Sequence, residues 1–318
     1  MWWKWLLVTL VACSSRSDRK PVAKDAAIAD APRREVGLEV MHYEQPKLPV
    51  PRQIAFELLD PGKGPRSELR YVRAPGTTTY ASQTRLETRQ LANSVWGPTQ
   101  KLPALDDGFA ITVEAPGTPL LLRPLPGTAA AKSDLADQYL AAWHAFEGRR
   151  LTVAIDDRGQ LGAIVFADDP TNARSADQTD EIAQRLLATL VPLPAEPVAI
   201  GAKWRVATVL RQRPVIAKQT ATYTLTGKTA TGWTIAVEIR RIAEPQVIVD
   251  PAVPKGASAQ LVAMLRRIDG TVAVDPHDVL PTGTLTATTT MHLRIRLGAQ
   301  MTEQILDDTA SIALSKHP

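Results

Sequence analysis

The chain has 318 residues, with 37 Lys and Arg against 33 Asp and Glu, 44% hydrophobic residues and a single cysteine. One cysteine excludes an internal disulfide framework and a four-cysteine zinc site, and the hydrophobic fraction is too high for a wholly disordered chain. A formal charge of +4 spread over many acids describes a mixed solvated surface and gives no footprint for nucleic acid.

The first 13 residues form a unit of their own. Met1-Trp2-Trp3-Lys4 carries one positive charge, Trp5 to Val11 is a short apolar run, and Leu10-Val11-Ala12-Cys13 closes it. The run is too short to span a bilayer as a helix and has the length of a secretory core segment. Leu10-Val11-Ala12-Cys13 resembles the lipobox of bacterial lipoproteins. That resemblance implies a signal peptide over 1–12, cleavage before Cys13, and lipid attachment at Cys13 by thioether diacylation and N-acylation with palmitate-type chains. Ser14 and Ser15 follow the cysteine, a pattern similar to that of lipoproteins sent to the outer membrane, facing the periplasm or the cell surface. Two or three acyl chains anchor a protein firmly without a membrane-spanning segment.

Residues 13–50 read as the lipidated cysteine and a disordered linker. Scattered charges, Ala and Pro with almost no large apolar residues cannot bury enough surface to offset chain entropy. A flexible coil of this length has an end-to-end distance of roughly 30 to 40 Å. Pro46, Pro49 and Pro51 stiffen the approach to the body.

From 51 to 318 the dominant period is two. Leu285, Ala287, Thr289, Met291, Leu293, Ile295 and Leu297 alternate with Thr284, Thr286, Thr288, Thr290, His292, Arg294 and Arg296, which predicts a long half-buried strand. Trp233 to Arg240 and Ala217 to Thr226 alternate in the same way. One-sided alternation argues for antiparallel sheet. Asp106-Asp107-Gly108, Asp157-Arg158-Gly159 and Asp269-Gly270 carry the chemistry of tight hairpin turns, so each is expected to separate two strands. Ser258 to Ile268 and Thr271 to Asp275 would then be hairpin partners.

A helix–hairpin–helix insert over 131–192 breaks the pattern. Ser133 can cap a helix over about 133–147, with Leu135, Tyr139, Leu140, Trp143 and Phe146 on one stripe. A second helix over about 178–191 carries Ile182, Leu186, Leu187 and Leu190 and stops at Pro192. Arg150 to Ile155 and Leu161 to Phe166 form the hairpin between them. The fold class is α+β, mainly antiparallel sheet, expected to curve into a half-barrel covered by the two helices.

The block Leu193-Pro194-Ala195-Glu196-Pro197-Val198-Ala199-Ile200-Gly201-Ala202-Lys203-Trp204, followed by Thr222-Tyr223-Thr224-Leu225, resembles a pattern in uncharacterised secreted bacterial lipoproteins of unknown function. The order of elements is distantly similar to LolA/LppX-type lipid binders, in which helices lid a β half-barrel that holds acyl chains. No functional residue transfers with that likeness.

The chemistry is sparse. No zinc-protease motif, nucleophile elbow, phosphate loop or dinucleotide fingerprint occurs. Asp275-Pro276-His277-Asp278 reads as a turn, since four sequential residues seldom converge on a metal. The pairs Asp106-Asp107, Asp156-Asp157 and Asp168-Asp169 read as turn residues, and Arg211-Gln212-Arg213, Arg240-Arg241 and Arg266-Arg267 as solvated strand faces, with a basic patch for anionic lipid or glycan as the other reading. Trp96, Trp204 and Trp233 have the composition of core anchors. No metal, cofactor or nucleic-acid partner is expected. The expectation is a non-catalytic, membrane-anchored envelope lipoprotein that binds an apolar ligand such as a lipid, or an envelope protein partner. The ligand would lie in a space lined by Leu140, Trp143, Leu186, Trp204 and Trp233. The alternative is a hydrolase acting on cell-envelope material through acidic residues, which requires carboxylates gathered in one cleft.

Overall fold

The computed structural model describes residues 52–317 except 93, 213–214, 249–252 and 254–255. Cys13, the expected signal peptide and the linker lie outside the described residues. In chain order the elements begin with β1 (Arg52–Asp60), β2 (Gly76–Ala92), β3 (Val95–Trp96), β4 (Gln100–Lys101), β5 (Leu105–Val113), β6 (Leu120–Pro124) and β7 (Thr128–Ala129). Helix α1 (Asp134–His144), β8 (Leu151–Ile155), β9 (Leu161–Phe166) and helix α2 (Ala176–Thr189) follow. The rest is β10 (Lys203–Gln212), β11 (Val215–Lys228), β12 (Trp233–Ala243), β13 (Gln246–Ile248), β14 (Ala257–Val274), β15 (Thr282–Leu297) and β16 (Gln300–His317).

All the strands join one antiparallel sheet with the path β1-β10-β11-β12-β14-β15-β16-β2-β5-β6-β8-β9, and β3, β4, β7 and β13 pair beside it. The sheet is open, ending on β1 and β9. It is also curved, because α2 packs against both β9 at one end and β10 beside the other. Among the described residues the fold is an α+β half-barrel with two helices. The β8–β9 hairpin of the insert forms no separate layer: β8 pairs with β6 and so extends the sheet.

The helices follow their sequence signals. Ser133 is extended at the N-terminus of α1, and its hydroxyl accepts a 3.0 Å bond from the Ala136 amide. Asp134 and Asp137 complement the helix dipole in the first turn. The face of α1 turned inward carries Ala136, Tyr139 and Trp143; that of α2 carries Ile182, Ala183 and Leu186 together with the polar Thr179 and Asp180. Beyond α2, the buried segment Leu190–Pro192 has no ladder of its own, and its carbonyls take side-chain donors instead. Tyr223 Oη donates to Leu190 O (3.3 Å), Tyr71 Oη to Val191 O (3.0 Å) and Trp204 Nε1 to Pro192 O (2.7 Å).

Two of the three expected turns are strand interior. Asp107-Gly108 lies within β5, and Asp269-Gly270 lies within β14, an uninterrupted strand of 18 residues where a hairpin was expected. Each glycine serves close backbone approach rather than a turn. A Cβ on Gly108 would lie 2.2 Å from Tyr80 O, and one on Gly270 2.2 Å from Thr284 O. Asp157-Arg158-Gly159 does turn the chain between β8 and β9, with Gly159 at φ +74°.

Cross-strand register organises the interior into rows. Val206, Ala221, Ile239, Ile268, Ala287, Ala310 and Leu86 are successive partners from β10 to β2 and belong to the largest apolar cluster. Further along the strands, Met264, Met291 and Leu306 are successive partners in another row, within a separate cluster. Between the two runs a polar row: Thr208, Gln219, Arg241, Arg266, Thr289, Asp308 and Thr88. Four of its members, Thr208, Gln219, Arg241 and Asp308, are buried. One continuous sheet therefore carries an interior divided by a hydrogen-bonding stripe.

Candidate ligand-binding cavity

Helix α2 is fixed over this stripe by polar contacts. Gln184 Nε2 donates to Arg211 O (3.0 Å) on β10, and Gln219 Nε2 on β11 donates to Leu187 O (3.3 Å). Asp180 stands 4.0 Å from Arg211. Between α2 and the inner face of β2, β5 and β16 lies a cavity of about 150 Å³. Its apolar wall comes from Phe109, Leu186, Leu280, Ala310, Ile312 and Leu314, and its polar end from Asp107, Glu181, Arg185, Arg241 and Arg266. Protein interiors are otherwise packed to crystal density, and an apolar space of this size holds a benzene-sized group.

The polar end holds two groups of different character. Arg185, at the centre of one, is closely surrounded, although its Nε makes no hydrogen bond among the described residues. Its Nη1 donates to Asp107 Oδ2 (2.7 Å), its Nη2 to Tyr139 Oη (2.8 Å), and its Nε stands 3.5 Å from Glu181. Tyr139 Oη in turn donates to Asp107 Oδ2 (2.8 Å), and the guanidinium lies 4.3 Å over the Trp143 ring. Burial works against the Arg185 charge, but Asp107, Tyr139 and Glu181 outweigh it and raise its pKa well above the ordinary value. Burial pushes the Tyr139 hydroxyl up, so it stays a neutral donor.

The other group is an adjoining pair of arginines. Arg241 and Arg266 are direct cross-strand partners on β12 and β14. Arg241 donates to Gln219 Oε1 from Nε (3.2 Å) and from Nη2 (2.7 Å). Burial, reinforced by the neighbouring Arg266 charge, pushes Arg241 down to about 9. Burial also lowers Arg266, whose Nε has no hydrogen-bond partner among the described residues. Further along the row, burial pushes Asp308 up to about 6.

Of the residues expected to line a ligand space, Leu186 lines this cavity. Trp143 and Trp204 are fully buried in packed core. Trp143 meets Phe109 and Phe146 at ring-centre distances of 5.5 and 5.6 Å and donates from Nε1 to Leu125 O (2.8 Å). Trp204 stacks on Tyr223 at 5.8 Å. Leu140 and Trp233 are partly buried against the largest cluster. Trp96, expected as a core anchor, is instead exposed, with the Arg89 guanidinium 4.3 Å over its ring.

The acidic pairs do not gather in one cleft. Asp156 Oδ1 accepts from the amides of Arg158 and Gln160 in the β8–β9 turn, and Asp157 pairs with Arg70. Asp168 pairs with Arg149, while Asp169 Oδ2 accepts from the Arg174 and Ser175 amides ahead of α2. Of the paired acids only Asp107 lines the cavity, and there it holds Arg185. At Asp275–Asp278, Asp275 Oδ1 accepts from the His277 amide (2.9 Å) and Asp278 pairs with Lys316 (2.6 Å), as a turn tied to the last strand. Among the described residues no group of three His, Cys, Asp or Glu side chains is placed to hold a metal, and no helix is long and apolar enough to cross a membrane. The exposed face of β2, β15 and β16 carries a wider polar cleft of about 380 Å³, where Arg89 and Thr290 both bind Asp307 at 2.9 Å.

Sequence alone offered Arg241 and Arg266 only within Arg-Arg pairs, as solvated strand faces or a basic patch, and turned neither of them inward. The alternation Ile235, Val237, Ile239 on β12 continues onto Arg241, which was the available signal. Arg266 was hidden by a bulge between Leu261 and Ala263, which reverses the inward parity of β14 partway along. No family model matches the chain, and no curated protein is significantly similar to it.

Proposed function

We propose that the protein is a membrane-anchored envelope lipoprotein, held through acyl chains on Cys13 at the outer membrane, whose β half-barrel binds an apolar ligand and performs no chemistry on it. The observation that carries this reading is the cavity beneath α2, open space against Phe109, Leu186, Leu280, Ala310, Ile312 and Leu314. At about 150 Å³ it takes a small apolar group or one end of an acyl chain, not a whole multi-chain lipid. A passive role fits the polar groups at its rim. Asp107 and Glu181, the acids that line it among the described residues, both engage Arg185. The linker between Cys13 and the body gives the half-barrel reach above the bilayer surface.

The test is mass spectrometry of an organic extract of the protein purified from its own envelope membranes. A stoichiometric apolar species is expected from the wild type, and its loss from Ala310→Leu, which fills the cavity wall. A bare protein in both preparations removes ligand binding and leaves a partner-binding role for the same anchored body.

A further inference from the structure

Resting on that ligand-binding role, we infer that the ligand is a single-chain amphiphile with an oxyanion head, of the fatty-acid kind, whose head is held by Arg241 and Arg266. Both arginines line the same cavity as the apolar wall, at its polar end. They face one another across β12 and β14, a like-charged pair in a region that β11, β12, β14 and α2 remove from water. Asp107 lies 2.7 Å and Glu181 3.5 Å from Arg185. Glu181 also acts on Arg241 and Arg266, and Asp308 on Arg266, but these acids do not offset the burial of the arginine pair. Asp308 stands two strands beyond Arg266 in the row, with Thr289 between them. The Arg266 Nε has no hydrogen-bond partner among the described residues. One carboxylate or phosphate ester placed between the two guanidinium groups supplies acceptors to both and relieves their mutual repulsion.

The apolar wall fixes the rest of the ligand. Ala310, Ile312 and Leu314 project from β16 on the cavity side, so a chain leaving the head runs along that strand. The volume suits a short tail, or the head-proximal portion of a longer one.

Titration calorimetry of octanoate, 1-octanol, acetate and inorganic phosphate against the delipidated protein separates the contributions. Octanoate is expected to bind at least tenfold more tightly than 1-octanol, acetate and phosphate. Arg266→Gln should bring octanoate to the level of 1-octanol while leaving 1-octanol unchanged. Equal binding of octanoate and 1-octanol overturns the oxyanion head and leaves the apolar-ligand reading intact. Acetate or phosphate binding as tightly as octanoate overturns the amphiphile in favour of a plain anion site. No binding by any of the four overturns both this inference and the reading on which it rests. The wild-type comparison decides the matter even if Arg266→Gln fails to fold.

Discussion

Arg241 on β12 and Arg266 on β14 stand directly opposite each other on the inner face of the half-barrel, at the polar end of its cavity. Directly opposed like charges destabilise an antiparallel pair, and burial increases the penalty. Around them the sheet supplies compensation of uneven quality. Arg241 is hydrogen-bonded twice to Gln219, whereas the Nε of Arg266 is not satisfied within the described residues. The neighbouring Arg185 is better compensated, by an acid on each side, a tyrosine hydroxyl and an aromatic face, although its own Nε makes no hydrogen bond among the described residues either.

Arg185→Met should be among the most damaging single changes in the body. It removes the cation beside Asp107, whose side chain is 2% exposed, and leaves that carboxylate with the Tyr139 hydroxyl as its donor. A loss of about 3 to 5 kcal/mol is expected by urea unfolding, because removing one partner leaves a buried charge uncompensated. The double variant Arg185→Met, Asp107→Leu should lose much less than the two single losses summed. Strict additivity would show that the two groups do not act as a buried pair.

Asp308 should make the fold less stable as pH rises through the weakly acidic range. Its folded pKa is pushed from 3.8 up to about 6 by burial. Between those values the folded state binds the proton more strongly than the unfolded chain, so stability falls as pH increases from about 4 to 6. Asp308→Asn should match the wild type near pH 3.5 and exceed it at pH 7.5 by on the order of 2 kcal/mol. Denaturant titrations at the two pH values measure this difference. A difference independent of pH would contradict the assigned burial.

Much of the fold was legible because its alternation is regular. The period of two in Leu285 to Leu297 became β15 with the expected inward residues except Leu297, which is exposed at the strand's end; the Ser133 cap and the β8–β9 hairpin are where the chain signals them, and α2 ends at Thr189, ahead of Pro192. Asp-Gly pairs misled because their chemistry is ambiguous: it suits a turn, yet a mid-strand glycine is equally demanded where two backbones approach closely. The cavity was only partly legible. Leu186 falls on the apolar stripe of α2, but Arg241 and Arg266 sit in Arg-Arg pairs whose other members, Arg240 and Arg267, face outward as cross-strand partners of each other. Which arginine of a pair turns inward depends on strand parity and, for Arg266, on the β14 bulge.

Gly270→Ala tests that ambiguity. An alanine Cβ there meets Thr284 O at 2.2 Å and Leu285 Cδ2 at 2.9 Å, so β14 and β15 must separate locally. The expected loss is about 1 to 3 kcal/mol by thermal or urea unfolding, as for overpacking of a tight site. A neutral substitution would mean that the two strands are not in close register at this point.

Lipidation has its own readout. Cys13→Ala should abolish both the acyl mass increment and the membrane fractionation of the mature chain, while the soluble body keeps its melting temperature to within about one degree, since surface changes remote from the core are worth little. Persistence of Cys13→Ala in the membrane fraction, with unchanged mass, would remove the anchor from the assignment.

The most direct measurement is a crystal structure of the protein purified from its own envelope without delipidation, read at the cavity between α2 and β16. Continuous density is predicted along Ala310 and Ile312, ending within hydrogen-bond distance of Arg266. A cavity filled only by water, or closed by side chains, would contradict ligand binding by this half-barrel.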